Sequence, residues 1–149
     1  ASGRRYPCLE MIRRVIYVSK AVRPMGDDDL AMLLERARTN NEKLGITGML
    51  LYRDGDFLQV LEGPKDAVLM LYSKIIRDQR HHSIATLTNA DVPERGFGDW
   101  TMAFHQVGAE DLERHDVLRP LADHRLTDVY LAREAPALDI LRTFQGEMA

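Results

Sequence analysis

Residues 54–64 read DGDFLQVLEGP. Asp54-Gly55 is a two-residue hairpin signal. Gly63-Pro64 is a turn whose proline suits the start of a helix. Between them the spacing predicts a strand. Phe57, Gln59 and Leu61 fall on one face; Leu58, Val60 and Glu62 fall on the other. Both faces are mainly apolar, so both are expected to be covered. A glutamine in the middle of one of them needs a reason.

The flanks extend the pattern. Before the turn, ITGMLLYR (46–53) is a β-rich apolar run that Asp54-Gly55 folds back onto the opening strand. After it, Pro64 begins a helix over 64–78 with Val68, Leu71 and Ile75 on its apolar stripe. RRVIYVS (13–19) reads as a strand, with Val15, Tyr17 and Ser19 on one face and Ile16 and Val18 on the other. Residues 27–45 read as a helix, with acids at its start and Gly45 just past its end. Two further strands are predicted at 83–92 and 100–106, the latter with Trp100 and Met102 on one face and Thr101 and Ala103 on the other.

The order is βαββαββ. It predicts an α+β, ferredoxin-like fold: a mixed sheet, two helices on one face, and C-terminal helices on the other. The mixing is expected from a hairpin that pairs antiparallel and crossovers that ask for parallel strands. Pro120 and Pro136 are expected to divide the tail into short helices, with Leu138, Leu141 and Phe144 at helical spacing. The division expected is an N-terminal tail (1–11), a core domain (12–106) and a helical cap (107–149).

The chain has 149 residues, 45% hydrophobic and 29% charged, with a formal net charge of −3, which suits one soluble domain with a real core. That charge disfavours nucleic acid and anionic membrane as partners. The single cysteine, Cys8, excludes an internal disulfide framework and fits a reducing, cytoplasmic setting. No run is apolar enough to span a bilayer. The five histidines show no ligand spacing with a carboxylate, so no metal is expected and His81 and His82 read as solvated or capping residues. GFGDW precedes a strand rather than a helix and so fails as a phosphate cradle. The arginine pairs Arg4/Arg5 and Arg13/Arg14 read as solvated.

Three polar residues stand in apolar places. The stripe of the first helix runs Leu30, Leu34, Ala37, Asn41, Leu44, so an amide occupies a core position. Gln59 does the same on its strand, and Tyr17 brings a hydroxyl to the first strand. A buried amide without partners costs roughly 1–3 kcal/mol. Each alone is accounted for by a loose backbone group near an element end. Together, on elements that share one helix–sheet layer, they suggest a flat polar guest with donors and acceptors on its edge.

IYVS with Tyr17, ARTNNEKLGITGMLLYRDGDFLQVLEGP (37–64), IIRDQRHHS (75–83) and RGFGDWTM (95–102) together resemble the BLUF domains, blue-light sensors using FAD. The resemblance spans roughly 12–106, and its motif set is long, ordered and specific. It implies a flavin ring held between the two helices and the sheet. Tyr17 matches the tyrosine that gives an electron and proton to the excited flavin, and Gln59 the glutamine between that tyrosine and the ring. Asn41 matches the asparagine at the ring carbonyl edge, with Asn40 near it. Leu33 and Ile75 match the aliphatic residues that sandwich the ring, and Phe57 shares the Gln59 face. Lys74 stands where relatives often carry arginine, a departure from the pattern. Asp78 and Arg80 match positions near the ribityl and phosphate side. Trp100 and Met102 match the pair on the last strand associated with signal transfer.

The resemblance implies a bacterial, cytoplasmic photoreceptor and not an enzyme. Its cofactor would be FAD, with FMN or riboflavin as possible substitutes. Rotation or tautomerisation of Gln59 would give a reversible red-shifted state. Its output would pass to a separate downstream effector protein, with a homo-oligomer implied and neither nucleic acid nor membrane as partner. Two other readings of the residues stand beside it: a light-independent ferredoxin-like module that binds a small ligand through Asn41 and Gln59, and an RNA-binding module. The latter needs exposed strand aromatics and a basic face, which the sequence does not show clearly.

Overall fold

The computed structural model describes residues 11–118 and 134–148. The elements in chain order are β1 (Ile12–Ala21), α1 (Asp27–Leu44), β2 (Thr47–Arg53), β3 (Asp56–Gly63), α2 (Lys65–Arg77), β4 (His81–Val92), β5 (Ala103–Gln106), α3 (Ala109–Arg114), a 3-10 turn (Asp116–Leu118) and α4 (Glu134–Met148). The predicted βαββαββ order is present, and the fold is α+β.

The five strands lie in the order β4-β1-β3-β2-β5. The β2–β3 hairpin turns at Asp54 and Gly55, both at positive φ, as a tight hairpin turn requires. β3 pairs antiparallel with both β1 and β2 and therefore separates them. The sheet is mixed as expected, but for a different reason. The crossover strands β1 and β2 do run parallel, yet they are not neighbours; β2 and β5 are the parallel pair. β1 also pairs antiparallel with β4.

Side-chain alternation on these strands makes two cores. Tyr17, Leu50, Phe57 and Leu61 meet Leu30, Leu34, Val68 and Tyr72 of α1 and α2. Ile16, Val18, Met49, Leu51, Leu58 and Val60 meet Ala137, Ile140, Leu141 and Phe144 of α4 on the other face. The expected placement of two helices on one face and C-terminal helical packing on the other is thus observed. Gly48 permits the hairpin to close: a Cβ there would lie 2.1 Å from the Val60 carbonyl oxygen.

Several expectations change. Leu44 is exposed, so the α1 stripe ends at Asn41, with Ile46 buried just after the helix. β4 starts at His81, earlier than predicted. β5 is only four residues long, and residues 100–102 are not strand. Their carbonyls are taken instead by side chains of α1 and by β2. Asn41 Nδ2 donates to Thr101 O at 2.7 Å, Arg38 Nε to Met102 O at 2.9 Å, and Gly48 N–H to Trp100 O at 3.1 Å. Trp100 and Met102 consequently do not share a face: Met102 joins the α1/α2 core, and Trp100 packs against the α4 core. Pro136 falls in the first turn of α4 rather than between helices, where its missing N–H would have had no intrahelical partner. Pro120, Cys8 and Arg4/Arg5 lie outside the described residues, as does most of the N-terminal tail.

Arg13 and Arg14 are not merely solvated. Arg13 donates to Asn89 and Asp91 at 2.8 and 2.9 Å. Arg14 Nε donates at 2.7 Å to Glu62, whose side chain is fully buried. The Glu62 carboxylate also accepts the backbone N–H groups of Gly96 (3.0 Å) and Phe97 (2.7 Å). GFGDW therefore cradles an anion after all, one supplied by the protein's own β3. Removing one member of such a buried pair leaves the other charge unmatched, at a cost of about 3–5 kcal/mol. Glu62→Ala should lower unfolding free energy by that order in urea titrations. A loss well under 1 kcal/mol would show that the pair is replaceable by water.

Candidate functional site

A cavity of about 300 Å³ lies between α1, α2 and the sheet. This is at the low end of the range typical of small-ligand sites. Its walls include Tyr17, Leu33, Asn40, Asn41, Phe57, Gln59, Lys74, Ile75, Asp78 and Arg80, so every ring- and chain-contact residue named from the sequence is gathered in one place. Neither Trp100 nor Met102 lines it, although Met102 touches the wall through Gln59.

Each side chain arrives for a local reason. β1 and β3 are antiparallel neighbours with Tyr17 directly opposite Gln59, so alternation brings both to the helix side. The Tyr17 hydroxyl donates to Gln59 Oε1. Gln59 Nε2 points to the Met102 thioether at 3.4 Å. The amide orientation is the one this network dictates. Asn41, one helical turn past Ala37, is 1% exposed. Its Nδ2 is satisfied by Thr101, but its Oδ1 has no partner among the described residues. Leu71 and Ile75 of α2 are only partly buried, because their stripe faces the cavity rather than packed atoms.

The electrostatics sort the cavity into a dry end and a wet end. Burial pushes the Tyr17 phenol well above its ordinary value, and Tyr72 and Asp78 add to the shift. Tyr17 is therefore neutral and protonated at physiological pH. Tyr72, its ring 5.3 Å from that of Tyr17, is also raised by burial, with its bond to Thr86 acting in the opposite direction. At the other end the Arg80 guanidinium holds the Asp78 carboxyl down to about 2, through bonds of 2.5–3.0 Å. Lys74, Asn40 and Arg80 are exposed at the rim.

Sequence reading missed part of the lining. Leu34, Ala37 and Leu61 were legible as core residues of the same layer but not as ligand walls. Met25, Arg36 and Leu50 carried no separate signal. His81 also lines the cavity. It is a capping residue, one of the two roles expected for it: Nε2 meets the Ile75 carbonyl at 2.6 Å and Nδ1 meets Ser19 Oγ at 2.8 Å, which ties the end of α2 to β1.

The unpartnered Asn41 acceptor, an amide on β3 and a neutral phenol fit a flat ring whose edge alternates N–H and C=O, as the flavin pyrimidine edge does. Comparison with known proteins agrees. The family model described as BLUF, sensors of blue-light using FAD, matches residues 12–103. The chain belongs to the BLUF family. Photoactivated adenylate cyclase subunit beta of Euglena longa is 43% identical over 109 residues, covering 71% of this chain and 13% of that protein. The blue light- and temperature-regulated antirepressor BluF of Escherichia coli K12 is 33% identical over 138 residues, 90% of this chain and 33% of that protein. This BLUF chain thus spans a small fraction of the curated relatives it matches. Among solved structures, the dark state of the BLUF protein BlrB aligns with TM-score 0.71 at 27% identity, covering 93% of this chain and 98% of that one.

Two outcomes follow for this BLUF site. Asn41→Leu fits the apolar stripe and removes the unpartnered Oδ1, but it also takes the Nδ2 donor from the Thr101 carbonyl. The flavin-free protein should therefore lose no more than about 1 kcal/mol, while flavin binding weakens by about tenfold, the equivalent of one lost hydrogen bond to a buried group. A sharp fall in melting temperature with unchanged flavin titration would make Asn41 purely structural. The pH dependence has a definite sign. Tyr17 keeps its proton in the folded state, whereas the unfolded chain releases it near pH 10, the ordinary phenol value. Stability is therefore intact below about pH 10 and falls as pH rises above it. Tyr17→Phe should flatten that decline in unfolding titrations across the alkaline limb.

Proposed function

We propose that this chain is the light-sensing part of a blue-light response, binding FAD non-covalently in the α1/α2 cavity, with FMN or riboflavin able to occupy the same ring site. The observation that carries the proposal is the placement of Gln59 between the Tyr17 hydroxyl and the Met102 sulfur, on the cavity wall.

A bound flavin would supply blue-light absorption and, once excited, a strong demand for an electron. Tyr17 is the residue placed to release one, together with its hydroxyl proton. Gln59 Oε1 already accepts that hydroxyl and so is the first stop for the proton. The other end of the amide is weakly held, because a thioether is a poor acceptor. Gln59 can therefore exchange its ends, by rotation or by gaining a proton at oxygen and losing one at nitrogen. Once the electron and the proton have returned to Tyr17, either outcome would leave a donor where an acceptor had been, with no net chemistry. Asn41, Asn40, Phe57, Leu33 and Ile75 orient and enclose the ring. Lys74, Asp78 and Arg80 serve the chain end.

In this reading the chain is a sensor rather than an enzyme, with residues 12–106 as the sensory domain and 107–149 as its helical cap. BLUF domains signal to effectors, and a separate cytoplasmic effector protein, contacted by a homo-oligomer of this chain, is the proposed output. Among the described residues no helix is long and apolar enough to cross a membrane. Met102, bonded by Gln59 on one side and by Arg38 through its carbonyl on the other, is the proposed first relay of the signal, with Trp100 following it into the α4 core.

The test is an absorption spectrum of the purified protein before and after blue light. A yellow protein with a red shift that reverses in the dark is expected. Gln59→Leu should bind flavin yet lose the shift; a normal shift in that variant overturns the relay. Tyr17→Phe should also lose the productive cycle, and a normal cycle there would mean another donor, for which Tyr72 is the nearest phenol.

A further inference from the structure

A second cavity, of about 440 Å³, adjoins the first. Met25, Leu33, Arg36 and Arg80 line both, so the depression continues from the sheet past the first half of α1 to the β1–α1 turn. Its floor is apolar: Val22, Pro24, Met25, Met32 and Leu33. Val22 and Met32 are 55% and 56% exposed, and both belong to this floor. Single exposed apolar residues need no explanation. A contiguous set of them, edged by charge and opening into a ligand cavity, is a binding surface.

The charge has a consistent sign. Arg23 and Arg36 stand at the edge, and neither forms an ion pair with any of the described residues. Arg80, the third cation, is already forked onto Asp78. The carboxylate within the cavity, Asp29, accepts the Gly26 N–H at 3.2 Å at the start of α1. Two uncommitted guanidinium groups beside an apolar floor suit a phosphate-bearing aromatic molecule. The Met25 and Met32 thioethers adapt to an aromatic face. The Gln79 amide offers a donor and an acceptor to a heterocycle edge.

We infer that this second cavity receives the adenosine diphosphate half of FAD, with Arg23 and Arg36 recognising the diphosphate and the Met25–Met32 floor the adenine. The inference rests on the first cavity being the flavin ring site. It makes the protein selective among flavins, because riboflavin carries no phosphate and FMN carries one and no adenine. Arg23 and Met32 line the second cavity alone, so their substitution leaves the ring site untouched.

The experiment is titration of the flavin-stripped protein with FAD, FMN and riboflavin, followed by quenching of flavin fluorescence. FAD should bind at least about tenfold more tightly than riboflavin, with FMN between, as expected of added charge-assisted contacts. Arg23→Glu should weaken FAD roughly tenfold while riboflavin stays within about twofold, and added salt should narrow the FAD preference because the gain is electrostatic. Met32→Asp should weaken FAD more than FMN. Equal affinity for FAD and riboflavin, or a parallel loss of all three flavins in Arg23→Glu, overturns the subsite and leaves the ring site standing. Failure of every flavin to quench overturns the ring site and the subsite together.

Discussion

Strand β3 is bonded along both edges and covered on both faces, and the rest of the structure answers to that constraint. A strand so enclosed has no solvent-facing side, so each of its polar groups must find a partner inside the protein. Glu62 finds Arg14 and two backbone N–H groups, a cradle that ties the 95–97 loop to the sheet. Gln59 finds a phenol and a sulfur. The first set is saturated and rigid. The second leaves the amide nitrogen with a weak acceptor, and that difference separates a structural buried polar group from one that can change state.

The same comparison holds for Asn41. One end of its amide holds the Thr101 carbonyl and so shapes the entry to β5; the other end has no partner. A single residue therefore belongs both to the wall of the cavity and to the segment that leads out of it. With Arg38 holding the next carbonyl, α1 grips residues 101–102 by side chains where a β-ladder would otherwise have gripped them. Two discrete arrangements of that segment would give the bistable element that coupling requires.

Charge is distributed to match. The interior end of the cavity presents the Tyr17 phenol, whose burial makes ionisation still harder, while the rim carries lysine and arginines in contact with solvent. A molecule with an uncharged ring and an anionic tail meets each environment where it suits. The Asp78–Arg80 pair marks the boundary between the two, held by bonds short enough to keep the carboxylate ionised far into acid.

What the sequence by itself determined was whatever depends on alternation and local chemistry. The Asp54-Gly55 turn, the parity that puts Tyr17, Phe57 and Gln59 on one face, the helix end at Gly45 and the misfit amide at Asn41 all follow from spacing within a few residues. Those signals singled out Tyr17, Asn41 and Gln59; the rest of the cavity wall from Leu33 to Arg80 came from the resemblance of ordered motifs to the BLUF domains. Only the tertiary structure decided what depends on which distant groups compete for a hydrogen bond. Parity put Trp100 and Met102 together, but the side chains of Asn41 and Arg38 capture the backbone there and send the two residues to opposite cores. Arg14 read as a surface cation until β3 supplied Glu62 as its partner. The parallel β2–β5 pair, and the second cavity with its two uncommitted arginines, arise from elements far apart in the chain. No local pattern encodes such a meeting, because each residue's environment is set by the elements that pack against it.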